Sequence, residues 1–354
     1  MRTIILTIAY IMTASVLSAK TPVLSVKELS SPPPRIIRTC CSFGSEVGMM
    51  GIPFVKWTDI TSTTDIGHHT YLGSKEEANG IIYTKRGGFI DVGHLRDIAD
   101  WTAYLASVIL KNQSKEEKII INLGIEGGRK TLTINVSKDL DRSSVFQLAG
   151  RIAYDLSLWH EISTWFGASF IPLVPERYSS FSPEDLYSNL LGVHLGIQAM
   201  ESDLEYEEAM TQLIESKLIE LESVTTLAET YDAMEEVEGV WWTRKKRLPS
   251  KKILLKRYFD SELSLQPWLV PGHVNDKTPF LLEKPNNEIA DLYLFEIKLN
   301  FKFPLRFIYP SKIGRTISQK DFSSLQDYIK EEVKELEQKM TDREERRKKN
   351  KKLD

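Results

Sequence analysis

The stretch Leu158-Trp159-His160-Glu161-Ile162-Ser163-Thr164-Trp165 sets an imidazole and a carboxylate side by side on a helical pattern. In the H-E-x-x-H motif of zinc proteases a second histidine follows one turn later, with the glutamate as general base. Thr164 holds that second position, and zinc in proteins takes thiolate, imidazole and carboxylate ligands, not threonine. The protease mechanism therefore fails as written. His160 shares a helix face with Ala149, Ala153, Leu156, Ser157 and Thr164, a face of small and weakly polar groups that suits close helix packing or a cavity.

A second histidine has a similar setting. At about 100° per residue, Ile98, Trp101, Leu105 and Val108 cluster around His94, which places it inside an apolar stripe with Asp97 on the edge. Asp100 falls further round, where a solvent or capping contact is expected. An inward histidine needs partners for its ring nitrogens. His94 and Asp97 from one helix, His160 and Glu161 from another, and His68 or His69 from a loop could therefore meet in one composite pocket. Such a pocket suits a divalent metal such as zinc, with His94, His160 and Glu161 as its ligands. Without metal the same groups could work as general base and acid near neutral pH. The plainer alternative is two hydrogen-bonded core histidines.

Other residues could serve this pocket. Gly87-Gly88 before a helix start invites a phosphate-cradle reading, but the P-loop lysine and spacing are missing, so nucleotide binding is not expected. Arg86 remains an anion-binding candidate through its planar fork of donors. Trp101 could line a substrate cleft, although Trp101, Trp159 and Trp165 are most simply core aromatics. Asn189 is a poor helix-interior residue and could hydrogen-bond within the pocket. Glu184 and Asp185 are accounted for by the helix start at Ser182-Pro183, with Asp185 at the capping-box position.

The elements that must position these groups are readable. Residues 1–19 carry Arg2, an apolar core from Ile4 to Val16 and a Leu17-Ser18-Ala19 cleavage pattern, as a secretory signal does. Residues 20–35, ending Ser-Pro-Pro-Pro-Arg, read as a proline-rich linker. "GIIYTKRGGFI" suggests a strand, a glycine break and entry into a helix capped by Asp91. "KIIINLGIEGGRKTLTINVS" reads as a hairpin turning at Glu126-Gly127-Gly128, and a long helix covers about 143–166. Residues 203–235 read as acidic helix, the composition shifts to basic and aromatic near Gly239, and "DLYLFEIKLNFKF" alternates as a half-buried strand does. The expected class is α+β: a helix-rich core domain over 36–235 with short strands and a hairpin, a smaller strand-containing region over 236–320, and a charged helical tail over 321–354.

Composition narrows the function classes. The formal net charge of −3 over 354 residues gives no general reason to expect nucleic acid. After the signal no stretch is apolar enough to cross a membrane. The two cysteines, Cys40 and Cys41, exclude a disulfide-stapled scaffold. They could form a strained vicinal pair, bridge two chains, or be two small buried residues.

"NGIIYTKRGGFIDVGHLRDIADWTAYL", "LWHEISTWFG" and "FSPEDLYSNLLG" together resemble an exported bacterial family, domain of unknown function four thousand and fifty-six, over about residues 35–200. The resemblance implies export and brings no activity with it. It suggests that Arg86, Gly87, Gly88, Asp91, His94, Arg96, Asp97, Trp101, His160, Glu161, Trp165, Glu184, Asp185 and Asn189 form one unit. The resulting expectation is a periplasmic or extracellular hydrolase of an envelope component or small extracytoplasmic substrate. In it, His94, Asp97, His160 and Glu161 do the chemistry, and Arg86, Trp101 and Asn189 bind. A non-catalytic ligand-binding or structural envelope protein is the alternative.

Overall fold

The computed structural model describes residues 20–34, 36–38, 42–51, 59–115, 117–135, 137–167, 176–260, 263–274, 278–285, 287–301, 303–310 and 312–350. Residues 1–19, the expected signal, and Cys40-Cys41 lie outside them. The chain is α+β. In order it forms α1 (Val26–Ser30), β1 (Ile81–Thr84), β2 (Gly88–Asp91), α2 (Val92–Asn112), β3 (Ile119–Ile125), β4 (Gly128–Ile134), α3 (Arg142–Trp165), α4 (Asp185–Glu201), α5 (Tyr206–Glu220) and α6 (Leu227–Glu236). Then follow β5 (Ser264–Leu265), β6 (Leu282–Glu283), β7 (Tyr293–Leu299), α7 (Leu305–Ile308), β8 (Thr316–Ser318) and α8 (Phe322–Asn350).

Helix α2 is the central post, buried at every position from Val92 to Ile109 except His94, which is half-buried. Its start follows the sequence: the Asp91 carboxylate accepts the His94 amide at 3.0 Å, satisfying a donor that the first turn leaves open. Helix α4 lies against it at a separation only glycine permits. A Cβ on Gly192 would sit 2.1 Å from the Leu95 carbonyl oxygen, so the two backbones touch there. Helix α3 packs on both α2 and α4, and the joint core is built from residues such as Leu95, Tyr104, Phe146, Trp159, Leu190 and Phe295.

Several expectations need correction. The Gly87-Gly88 break is the turn of a β1–β2 hairpin, with Gly88 at φ +66, and Phe89-Ile90 form its return strand before the helix begins. The acidic helix expected over 203–235 is two helices. Glu222 takes a left-handed φ of 55, and Thr226 with Glu229 forms a capping box that restarts the chain as α6. Residues 20–34 do not stand off as a linker. The Lys20 amide donates to the Met200 carbonyl, the Tyr104 hydroxyl donates to the Leu29 carbonyl, and a Ser25–Glu28 capping box builds α1.

The region 236–320 is joined to the core by a sheet. Strands β3 and β4 form the expected hairpin, β7 pairs antiparallel with β4 along its whole length, and β8 closes the order β3-β4-β7-β8. The charged helix α8 is half core: Phe322, Leu325, Ile329 and Val333 are buried, and the Trp165 indole donates to Glu332 at 2.7 Å. The acidic and basic segments meet where Arg244 pairs with Glu235 of α6. Among the described residues, no helix is long and apolar enough to cross a membrane.

Candidate functional site

One small cavity gathers most of the chemistry. It has a volume of about 50 Å³, enough for a few water molecules. Helix α2 contributes His94, Asp97, Ile98 and Trp101, and α3 contributes Leu156, Ser157 and His160. Asn189 reaches in from α4, Leu123, Glu126 and Lys130 from the β3–β4 hairpin, and Ile36 from the N-terminal segment. Five residues singled out from the sequence thus share one wall-lined space: His94, Asp97, Trp101, His160 and Asn189. Ser157 lies one turn before His160, and its hydroxyl donates to the Tyr154 carbonyl at 2.8 Å.

The carboxylate partners are not those the sequence spacing suggested. His160 Nδ1 lies 2.7 Å from Glu126 Oε1, on the hairpin turn. Lys130 Nζ, one strand position pair further on, holds Glu126 Oε2 at 2.7 Å. The Trp159 indole donates to the Glu126 carbonyl oxygen at 3.0 Å, which fixes the turn against α3. His94 Nδ1 lies 3.0 Å from Asp185 Oδ1, at the start of α4. His160 keeps 20% of its side chain exposed and His94 13%. Each imidazole therefore has a carboxylate at Nδ1, which sets the ring orientation, and some access to solvent.

Asp97 lines the cavity but is braced from behind. Its oxygens accept the Ile37 amide at 3.1 Å, the Arg38 amide at 3.3 Å and Arg38 Nη1 at 3.1 Å. Burial, opposed by the Arg38 charge, pushes its carboxyl up to about 6. Asp100 is fully buried, not solvent-facing: it accepts from Arg38, His69 Nε2, the Leu72 amide and the Tyr206 hydroxyl. The error has a physical cause, since α2 has no solvent face for Asp100 to occupy. His69 belongs to this brace and His68 is exposed, so neither joins the cavity.

Glu161 turns away to the other side of α3. Its Oε2 accepts the Phe181 amide at 2.6 Å, its residue is buried, and burial together with the nearby Asp185 charge raises its carboxyl well above the ordinary range. Glu184 and Asp185 are likewise more than helix-start residues. Helix α4 begins at Asp185, with Glu184 in the cap position making no side-chain cap bond. The Ser182 hydroxyl donates to Glu184 at 2.8 Å, and Asp185 accepts the Ser182 amide at 3.3 Å, half of the expected capping box. Asp91, Glu161, Glu184 and Asp185 thus form a buried acidic group at the base of His94. Arg257 is its buried cation, pulled down to about 9 by burial against the attraction of Glu161 and Asp185.

Arg86 sits elsewhere. Its guanidinium donates to the carbonyls of Thr278 and Glu220 and lies over the Phe280 ring, so it straps loops together away from the cavity. The proposed metal set also fails to converge, because His160 points to Glu126, Glu161 points to Phe181, and His94 points to Asp185. Among the described residues no three His, Cys, Asp or Glu side chains are grouped to hold a metal ion.

Glu126 and Lys130 are the site residues that sequence reasoning missed. Strand β4 alternates inward positions at Gly128, Lys130, Leu132 and Ile134. A lysine on the apolar face of an alternating strand was the available signal, because a buried lysine requires a partner.

No curated protein and no solved structure matches the chain. The family model described as "Protein of unknown function (DUF4056)" matches residues 28–271, well past the segment that carried the resemblance, and the chain belongs to that family.

Proposed function

We propose that the chain is a metal-independent acid–base hydrolase, acting at this cavity on a small extracytoplasmic substrate. The observation that carries the reading is a single one. Two histidines from different helices line the same cavity, and each has a carboxylate at Nδ1. In His160 the pairing with Glu126 commits Nδ1 and leaves Nε2 to take a proton from an attacking water. His94, oriented by its contact with Asp185, supplies the proton that the leaving group takes. Glu126 and Asp185 orient the rings, Lys130 holds Glu126, and Trp101, Ile98 and Leu156 exclude bulk water from the reacting groups. Export is the expectation drawn from residues 1–19, and it names the compartment in which the substrate would be met.

The test is hydrolysis of chromogenic esters, amides and phosphodiesters by the full chain, beside His160→Gln and His94→Gln. Each variant is expected to lose about 10²-fold or more in kcat/KM with the same thermal midpoint as the parent. Retention of full activity by both variants would end the proposal. A second reading draws on the size of the cavity, about 50 Å³: a non-catalytic pocket that holds a small ion or metabolite. In that case calorimetric binding of a small ligand would be lost in the two variants while no substrate turned over.

A further inference from the structure

The loop between β7 and β8 combines basic charge with exposed apolar tips. Residues 300–315 contain four Lys or Arg and no Asp or Glu, in a chain whose overall charge is slightly negative. The segment lies beyond residues 28–271, the part that the family model matches.

The loop is well anchored at its base. The Leu299 amide donates to the Arg315 carbonyl at 2.8 Å, and the Arg315 guanidinium donates to the carbonyls of Asn300 and Phe303. Phe303 and Leu305 are buried, Phe303 lying 4.4 Å from the Phe166 ring centroid. Against this fixed base, three large apolar side chains point into solvent: Phe301 is 83% exposed, Phe307 77% and Ile313 99%. Ile125, on the neighbouring hairpin, is 78% exposed. The hairpin and loop are joined by the Asn300 amide, which donates to the Gly127 carbonyl at 3.0 Å.

Exposed cations stand near these tips. Arg306 is exposed, and Lys298 stands directly across from Arg129 on the exposed side of β7 and β4, whereas Lys312 is paired with Asp321 and Lys320 with Asp291. Like charges opposite one another on a sheet are destabilising, so an arrangement of this kind is relieved by an anionic surface laid over it. Exposed apolar tips ringed by Lys and Arg are the features by which a protein seats on a bilayer. The tips enter the acyl boundary while the cations meet lipid phosphates. Isoleucine offers no ring for base stacking, which sets this surface apart from single-strand nucleic-acid platforms.

We infer that the β7–β8 loop, with the tip of the β3–β4 hairpin, docks the protein on an anionic phospholipid surface through Phe301, Phe307 and Ile313. The inference is independent of what the His94–His160 cavity does. It does place the bilayer beside the hairpin turn that carries Glu126.

The experiment is sedimentation of the full chain with vesicles of phosphatidylcholine alone, or of equal parts phosphatidylcholine and phosphatidylglycerol. The expected result is binding to the anionic vesicles at least about tenfold stronger than to neutral ones, weakening as salt is raised. Ile313→Ser alone, and Phe301→Ser with Phe307→Ser, should each weaken it severalfold with unchanged thermal unfolding. Lys298→Gln and Arg306→Gln should each cost about fivefold. Ile313 is so exposed that its replacement has no core to disturb, which keeps the test sound if the double variant folds poorly. Equal binding to both vesicle types, or full binding by Ile313→Ser, would overturn the inference. So would oligothymidylate that competes the vesicles away, since that would mark a nucleic-acid face.

Discussion

Two groups of buried charge sit one helical turn apart along α2, and they solve the same problem in opposite ways. Around Asp97 and Asp100 the acids are matched by arginine. Arg38 donates from Nε and Nη2 to both oxygens of Glu77 at 2.6 and 2.8 Å, and from Nη1 to Asp97 and Asp100 at 3.1 and 2.9 Å. Arg96 adds a second cation 3.6 Å from Glu77. Around Asp91 and His94 the acids outnumber the cations. Asp91, Glu161, Glu184 and Asp185 face His94 and Arg257, and both Asp91 Oδ2 and Glu184 Oε2 lack a hydrogen-bond partner.

For Glu77 and Glu184 the consequences for protonation run in opposite directions. Burial would raise Glu77, but the paired Arg38 bonds and charge outweigh it and hold the carboxyl down at about 2. Burial and the neighbouring Asp185 charge push Glu184 well above the ordinary range, and the Ser182 bond does not offset them. In the first group Arg38 holds Glu77 down, while burial still lifts Asp97 to about 6. In the second, burial lifts Asp91, Glu161 and Glu184 alike beneath His94. Among the described residues the brace also leaves donors or acceptors unsatisfied, at His69 Nδ1 and Arg96 Nε, but in the second group the unsatisfied atoms are acid oxygens, and they lie under one of the two cavity histidines.

The brace is the more sensitive of the two. Arg38→Met would leave three buried carboxylates without their cation and is expected to cost about 3–5 kcal/mol, read as a shift in the urea midpoint. A loss below about 1 kcal/mol would mean that Arg96 and the backbone amides satisfy these acids unaided, and the contrast between the two groups would collapse.

Glu77→Gln comes next. It leaves Arg38 in place but removes the charge from its strongest acceptor, with an expected cost of about 1.5–3 kcal/mol at neutral pH. The sign of its pH dependence is fixed by the lowered carboxyl. Native Glu77 stays ionised where the unfolded chain takes up a proton, so its stabilisation is full above about pH 4.5 and is lost as pH falls towards about 2. The variant should therefore show a shallower acid limb in its unfolding profile. An acid limb identical to the parent's would place the acid sensitivity elsewhere.

How much of this was legible in the sequence follows from the range of the interactions. Helix α2 and the hairpin were readable because an N-cap aspartate, helical periodicity and a Glu-Gly-Gly turn are local signals. The gathering of His94, Asp97, Trp101 and His160 at one cavity followed from inward helix faces, and that of Asn189 from its poor fit to a helix interior. Their partners did not. Asp97 is three positions from His94 and Glu161 is adjacent to His160, yet the contacts come from Asp185 and Glu126, on other elements. Arg38 lies 59 residues from Asp97, with nothing local to mark it. Asp100 was misplaced because a single apolar stripe implies a solvent face, while α2 is packed on several sides. Glu161 was expected beside His160 in the pocket, but it lies about 100° round α3 and meets the Phe181 amide instead. The β7 strand was visible as an alternation, but its pairing with β4 is a long-range choice that alternation cannot specify.

The smallest expected effect separates the groups most cleanly. Glu184→Gln removes an acid from a place where the charged form is disfavoured by burial and by Asp185, with Asp91 adding to the repulsion. Its stability at neutral pH should lie within about 1 kcal/mol of the parent's or above it, because most exchanges outside a satisfied network are small. The pH sign is the reverse of that for Glu77. With a carboxyl raised on folding, the native state holds a proton that the unfolded chain gives up, so stability falls as pH rises above about 4.5. The variant should flatten that decline. Loss of more than about 2 kcal/mol would show that the Ser182 bond to Glu184 braces the start of α4 as firmly as Arg38 braces α2. The activity readout then discriminates further. Glutamine keeps the uncharged form that burial and the nearby Asp185 favour at Glu184. Glu184→Gln should therefore keep a kcat/KM close to the parent's, and a large loss would tie ionisation of Glu184 to the work of His94.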